Sequence, residues 1–184
     1  MLPSELAIRD RHLREDGAMV PQRAVLLKAG VRGGTNFEGC SVEVNELSDQ
    51  AEPLVVLVPY ESILTEAAVL QEIDLLKVSQ EFDSFVTRVD LRATEQGILG
   101  GLVGWFDLEM TSHNWLSTAP GKPATNWKQV YFLLPRDITV AKGRSYPLWM
   151  HYRPPSQDHR GMQVDVSITV GEDEKPVEQT YLMV

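Results

Sequence analysis

Gln163-Val-Asp-Val-Ser-Ile-Thr-Val170 is the stretch whose reading decides the fold class of this chain. Val164, Val166, Ile168 and Val170 are apolar, while Gln163, Asp165, Ser167 and Thr169 between them are polar. Successive side chains on an extended strand point to opposite faces, so a period of two gathers every apolar residue on one side. That is the pattern of an antiparallel strand with one face on a core and the other in water. The flanking sequence repeats it. Arg23 to Lys28, Leu54 to Val58, Val69 to Leu75, Phe85 to Leu91 and Leu102 to Met110 read as strands. So do Trp127 to Leu134, Ile138 to Val140, Tyr146 to Tyr152 and Thr180 to Val184. About eight or nine strands at short spacing predict a mainly β chain, an antiparallel barrel or sandwich. In the Leu102 strand, Leu102, Gly104, Phe106, Leu108 and Met110 are expected on one face, with Asp107 and Glu109 on the other.

The sequence before the strands has a different period. Pro3 to Arg14 is charged and helix-prone, with Leu6 and Leu13 expected on one side and Gly17 ending the helix. Val31 to Phe37 reads as a loop, Gly39 to Leu47 is ambiguous, and Ser62 is placed to cap a brief helical turn. Ser112 to Ala124 is rich in Gly, Pro and Ser and reads as a loop.

Composition narrows the class. The chain has 184 residues, 43% of them hydrophobic, enough to bury a core without disulfides or metals. A single cysteine, Cys40, excludes a disulfide framework and fits a reducing compartment, cytoplasmic or nuclear. No apolar run approaches membrane-spanning length. The formal net charge of −9 disfavours direct nucleic-acid binding and favours basic, arginine-rich partners.

Little in the residues themselves announces chemistry. Gly97, Gly100, Gly101 and Gly104 cluster, but they run into a strand, where glycine marks bulges and close backbone approach more often than a phosphate cradle. His12, His113, His151 and His159 share no metal-ligand spacing, so no metal site is expected. Cys40 fits a buried structural thiol. Asp107 and Glu109 suit either an acidic groove or a solvated face. On these grounds alone the chain is a β domain with no evident catalytic group.

Four motifs add to that reading. Arg9-Asp-Arg-His-Leu13 is followed by Gly17-Ala-Met-Val-Pro21, and Gly39-Cys-Ser-Val-Glu-Val-Asn-Glu-Leu47 comes next. Gly104-Trp-Phe-Asp107 precedes the most specific pair, Leu116-Ser-Thr-Ala-Pro120 and Thr125-Asn-Trp-Lys-Gln129. In this order they resemble the C-terminal region of the protein arginine N-methyltransferases, whose "S-T-x-P … T-H-W-x-Q" segment is matched by the last pair.

The resemblance implies a two-part enzyme that moves a methyl group from S-adenosylmethionine to a guanidino nitrogen of protein arginine. An α/β domain holds the donor, two glutamates grip the guanidinium, and the β-barrel forms the other groove wall. A guanidinium is always protonated and fully delocalised, so carboxylates must orient it before one nitrogen can attack. Residues 1–20 then correspond to the terminal helix and junction of the donor-binding domain. Residues 21–184 correspond to the barrel, with 29–47 as a shortened dimerisation arm. The chain begins just past the position implied for the two glutamates, so neither S-adenosylmethionine binding nor catalysis is expected from it alone.

Implied groove residues are Ser117, Thr118, Thr125, Asn126 and Trp127; implied arm contacts are Phe37, Gly39 and Leu47. Trp127 suits groove lining or core packing, and Thr125, Ser117 and Thr118 suit a site or simple turn and cap duties. Asn126 departs from the family's usual His: it can donate and accept hydrogen bonds but cannot carry a proton. Implied partners are arginine-rich substrate proteins and either a second copy or a methyltransferase paralogue. The alternative is a non-catalytic module that recruits basic proteins or supports an active paralogue.

Overall fold

The computed structural model describes residues 2–37, 50–79, 82–155, 161–171 and 173–183. Among them one helix, α1 (Leu2–His12), precedes eleven strands. These are β1 (Arg23–Arg32), β2 (Gln50–Ala51), β3 (Leu54–Val56), β4 (Ala68–Asp74), β5 (Phe85–Arg92) and β6 (Gly97–Thr111). They continue as β7 (Asn114–Ser117), β8 (Gln129–Val140), β9 (Ser145–Arg153), β10 (Met162–Ile168) and β11 (Val177–Met183). The first sheet runs β3-β8-β6-β1-β4 with β7 attached to β6, and the second runs β2-β11-β10-β9-β5. All pairings are antiparallel except the short β2–β11 contact.

Of the two architectures the sequence left open, the two sheets form a sandwich rather than a closed barrel. At one side their edge strands β4 and β5 meet, where Thr65 bridges Ala93. Between the sheets, the Tyr181 hydroxyl on β11 donates to the Leu133 carbonyl on β8 at 2.6 Å.

Three differences from the sequence reading have local causes. The expected loop Ser112 to Ala124 contains β7, which folds back on β6 through the two-residue turn at Ser112 and His113. The strands expected at Trp127 to Leu134 and Ile138 to Val140 form one strand, β8, interrupted by Pro135. Against β6 its register jumps from Leu133↔Gly101 to Ile138↔Leu99, so the proline falls in the bulge between. Ser62 does not cap its 3-10 turn; its hydroxyl donates to the Pro59 carbonyl at 2.6 Å.

α1 ends at His12, before Gly17, which sits in the following turn with its N–H on the Arg14 carbonyl. Leu6 is fully buried and Leu13 exposed, so the expected apolar pair splits. Arg9 ties the helix to the end of β4 by donating to the Leu75 carbonyl at 2.7 Å.

The main core lies between the sheets, where Leu99, Leu102 and Phe132 meet Leu148, Met150, Val164, Val166, Ile168 and Tyr181. Every apolar residue of the Gln163 to Val170 alternation is buried. A second core covers the outer face of the first sheet, with Ala29, Val31, Val103 and Tyr131 under Phe37, Val56 and Val58. β1 from Lys28 to Val31 and β6 from Leu99 to Val103 are therefore buried on both faces, and their glycines follow from that. A Cβ at Gly101 would sit 2.2 Å from the Tyr131 ring, and one at Gly100 would sit 2.5 Å from the Gly33 Cα. These glycines serve close packing, as a glycine cluster within a strand suggests.

Lys28 breaks the apolar pattern. It faces the space between the sheets, is 1% exposed, and its Nζ has no hydrogen-bond partner. The Nζ lies 3.4 Å from the Phe132 ring centroid. Its stem fits because position 104 is glycine, where a Cβ would be 3.0 Å from the Lys28 Cε. Burial holds its pKa well below the ordinary lysine value.

Gly101→Ala must displace the Tyr131 ring, and we expect a loss of about 1–3 kcal/mol in urea unfolding. Unchanged stability would show that the ring is free to move. Lys28 gives a pH signature. Its folded pKa is depressed, so the unfolded chain binds the extra proton and stability rises with pH between the folded pKa and 10.5. One proton contributes at most about 1.4 kcal/mol per pH unit. Lys28→Met should lose that slope and be more stable than wild type at neutral pH. Parallel stability curves for the two proteins would refute the assignment.

Candidate functional site

The segment between β7 and β8, residues 117–129, carries the most specific motif, and a buried polar clamp fixes it. The Thr118 hydroxyl accepts from the Phe106 N–H at 3.1 Å and donates to the Phe106 carbonyl at 3.0 Å. Gln129 is buried; its Nε2 donates to the Thr118 carbonyl at 2.7 Å, and its Oε1 accepts from the Val58 N–H at 2.8 Å. One amide side chain thus joins this segment to the chain that covers the second core. The Ser117 Oγ accepts from the Ala119 N–H at 3.2 Å, a local turn contact. Lys128 adopts φ 53°, left-handed for a residue with a Cβ, and reverses the chain just before β8.

The residues singled out in the sequence divide between two places. Ser117 and Thr118 are turn and clamp residues. The Thr125 hydroxyl is buried with no hydrogen-bond partner, and Asn126 is exposed. Trp127 is 53% exposed and meets the Phe106 ring edge-on, with centroids 6.0 Å apart. Trp127 and Lys128 line a cavity of about 210 Å³ that includes Lys28, Phe106, Phe132 and Tyr152. Ala119 to Lys122 instead line a separate groove of about 1030 Å³ with Tyr60, Glu61, Glu66, Glu95 and Trp105. Trp105 borders both spaces.

The groove has the chemistry for a cationic ligand. Three glutamates and one lysine line it, and Tyr60 is 69% exposed. Glu95 pairs with Arg32 at 3.0 Å and Glu66 approaches Arg92 at 4.0 Å. These arginines are themselves partly exposed, so an incoming guanidinium can exchange with them at small cost. Tyr60 and Trp105 add aromatic lining, which suits a planar cation. The sequence reading missed this groove because its carboxylates come from two segments, Glu61 and Glu66 from one and Glu95 from another about thirty residues on, and its other wall from a third.

The remaining candidates lie elsewhere. Glu109 is held by the Arg23 Nε at 2.9 Å, and the Arg23 guanidinium stacks over Trp115 at 5.2 Å. The Asp107 Oδ1 is buried without a partner. The two carboxylates share a strand face but do not form one open site. Phe37 is buried and packs on Tyr131 with centroids 4.6 Å apart. Gly39, Leu47, Cys40 and His159 lie outside the described residues. Among the described residues, no group of three or more His, Cys, Asp or Glu is placed to hold a metal ion. No helix among them is long and apolar enough to cross a membrane. The β6 glycines are filled against by Tyr131, Gly33 and Lys28, so this cluster does not fit S-adenosylmethionine as a cradle.

Comparison with known proteins agrees with the fold and the motifs. The chain is 28% identical over 187 residues to protein arginine N-methyltransferase 1 of Schizosaccharomyces pombe, covering 92% of this chain and 54% of that protein. It is 30% identical over 169 residues to a probable protein arginine N-methyltransferase 3 of Oryza sativa, covering 79% of this chain and 27% of that protein. The chain thus spans about half, or less, of the relatives it matches. Among solved structures, it superposes over its whole length on 63% of a chain from the Trypanosoma brucei PRMT1 enzyme-prozyme heterotetrameric complex with AdoHcy. That match has a TM-score of 0.88 and 23% identity. Protein arginine methyltransferase 10 of Arabidopsis thaliana matches with a TM-score of 0.79 and 20% identity, over all of this chain and 66% of that one. The model of the arginine methyltransferase oligomerization subdomain matches residues 35–173, most of the chain. With that match, the chain belongs to the protein arginine methyltransferase family and represents its C-terminal region.

Proposed function

We propose that this chain forms the β half of a protein arginine methyltransferase assembly, acting in the cytoplasm or nucleus. It walls the groove that receives an arginine-rich substrate and contacts a methyltransferase domain or paralogue. One observation carries the reading. The segment 117–129 is clamped from below by Gln129 and Thr118, yet it turns Asn126 and Trp127 to solvent and borders an acidic, aromatic groove. A rigid base with an exposed aromatic is what a docking wall needs, because little side-chain entropy is lost when a partner arrives.

In this reading Glu61, Glu66 and Glu95 attract the basic substrate, and Tyr60 and Trp105 stack on its guanidinium groups. Trp127 and Asn126 meet the domain that holds S-adenosylmethionine, which would be bound outside the described residues. The buried, unpartnered Thr125 hydroxyl and Asp107 carboxylate await hydrogen bonds from that partner, since orphaned buried polar groups are costly.

A second reading, a non-catalytic chain that supports an active paralogue, is favoured by Asn126. The solved relative in an enzyme-prozyme complex supplies the type of partner. The two readings share the groove and differ in whether the assembled site is completed by this chain.

Calorimetry with an arginine-rich peptide should show binding that weakens as salt rises. Glu61→Gln, Glu66→Gln and Glu95→Gln together should weaken it about tenfold, taking about 0.5 kcal/mol for each exposed pair. Absence of binding at low salt would refute the groove assignment. Gln129→Leu removes both clamp bonds and strands the Val58 N–H and the Thr118 carbonyl. We expect a stability loss of about 2–4 kcal/mol by urea titration, and less than about 1 kcal/mol would refute the clamp. In a reconstituted assembly, Trp127→Ala should weaken association with the methyltransferase domain while leaving peptide binding to this chain unchanged. Equal loss of both would argue that Trp127 belongs to the acidic groove.

A further inference from the structure

The outer face of the second sheet has no role in the reading above. It lies across the sandwich from the acidic groove, which borders Ala29 and Trp105 on the outer face of the first sheet. Strands β11, β10, β9 and β5 align their outward residues in rows. The central row is Glu178, Ser167, Trp149 and Arg88, and the next is Thr180, Asp165, His151 and Val86. A groove of about 720 Å³ runs over the central row and Asp90.

Two charges of the central row are left over. Asp165 in the next row is bonded by Arg153, Gln163 and Thr180. Arg88 and Glu178 are exposed and form no ion pair among the described residues; the Glu178 carboxylate only accepts from the Ser167 hydroxyl at 3.2 Å. Three strand spacings, roughly 14 Å, keep the two from meeting within one copy. Between them the large Trp149 stands beside the small Ser167. Val86, on the same edge strand as Arg88, is 56% exposed.

Such a row is complementary to its own reverse. A two-fold axis that lies between two of these faces and runs along the strands reverses every row. It lays Arg88 over Glu178 of a second copy and Glu178 over that copy's Arg88. Trp149 falls over Ser167, His151 over Asp165 and Val86 over Thr180. Asp90 is carried toward Lys175, exposed just ahead of β11. From this self-complementarity we propose that the outer face of the second sheet is a homodimer surface, two copies stacked sheet on sheet about 10 Å apart. The charges favour a copy over a partner of one sign. Arg88, Arg153 and His151 are interspersed with Asp90, Asp165 and Glu178, so a basic or an acidic partner meets repulsion from half of them. The face measures roughly 14 by 23 Å, the size of a weak, transient contact. The net charge of −9 adds a repulsion between copies that salt screens.

The test is sedimentation equilibrium of the whole 184-residue chain in about 0.15 M salt, from about 0.01 to about 1 mM. The expected result is a monomer–dimer equilibrium with a Kd on the order of 0.1 mM. Arg88→Glu and Glu178→Arg each place two like-charged pairs in the dimer and should weaken it at least about tenfold. Mixed one to one, the two variants should associate with each other, because each supplies the charge the other lacks. The chain carrying both changes should dimerise like wild type. Both positions are exposed, and unchanged circular dichroism and urea midpoints will show that the variants fold. A chain that stays monomeric over the whole range overturns the proposal. So does a dimer that neither reversal weakens, or a loss that mixing does not restore. If Glu178→Arg instead weakens binding of an arginine-rich peptide to a chain that does not self-associate, the face belongs to a basic partner and the proposal fails. Glu61, Glu66 and Glu95 are unchanged in these variants, so the dimer surface and the acidic groove fail separately.

Discussion

The middle of the first sheet, Lys28 to Val31 of β1 and Leu99 to Val103 of β6, is buried on both faces, and most of the rest follows from that constraint. β1 and β6 face the other sheet on one side and the cover of Phe37, Val56 and Val58 on the other. A strand with two dry faces cannot alternate polar and apolar residues, so the buried part of β6 runs Leu99-Gly-Gly-Leu-Val103. It must also admit large neighbours on each side. Tyr131 occupies the space over Gly101, and the Gly33 backbone comes down on Gly100. The hydroxyl of the buried Tyr131 is pushed up to about 12 by desolvation and, secondarily, by Asp137, so the ring stays neutral within the second core.

That second core positions the candidate site. The covering chain ends at Val58, whose N–H is claimed by Gln129, and Gln129 also holds Thr118. The outer core and the motif segment 117–129 are thus joined through one buried side chain. Hydrogen bonds of this kind contribute modestly when made and cost much when broken, because the stranded partners remain out of water. The motif residues therefore separate by duty. Thr118 and Gln129 hold the segment, while Asn126 and Trp127 are displayed by it. A motif read as a binding signature is partly a folding signature.

The second sheet shows the opposite economy. Its outer face is open, and its polar residues satisfy one another. Burial alone would raise the Asp165 carboxyl, but hydrogen bonds from Gln163, Thr180 and Arg153 outweigh it and hold it below the ordinary value. The polar half of the Gln163 to Val170 alternation thereby becomes a cross-strand network. The main core sets Lys28 against this order, an amine placed over Phe132 with no partner.

The sequence by itself determined the fold class, because strand periodicity is a local property. The alternation from Gln163 to Val170 names both its faces, and the glycine cluster before Trp105 points to close backbone approach within a strand. It also determined the family, since Ser117 to Pro120 and Thr125 to Gln129 stand in fixed order and need no contact to be recognised. Other features are not local. Pro135 hides in a bulge that exists only against β6, and β7 forms only because β6 is there to pair with. The acidic groove brings Glu95 and the Ala119 to Lys122 wall against Glu61 and Glu66, from segments far apart in the chain. Lys28 reads as an ordinary strand-end lysine until the second sheet closes over it. Tertiary structure alone decided these points, because burial, charge pairing and cavity walls are properties of neighbours in space, and the chain order does not contain them.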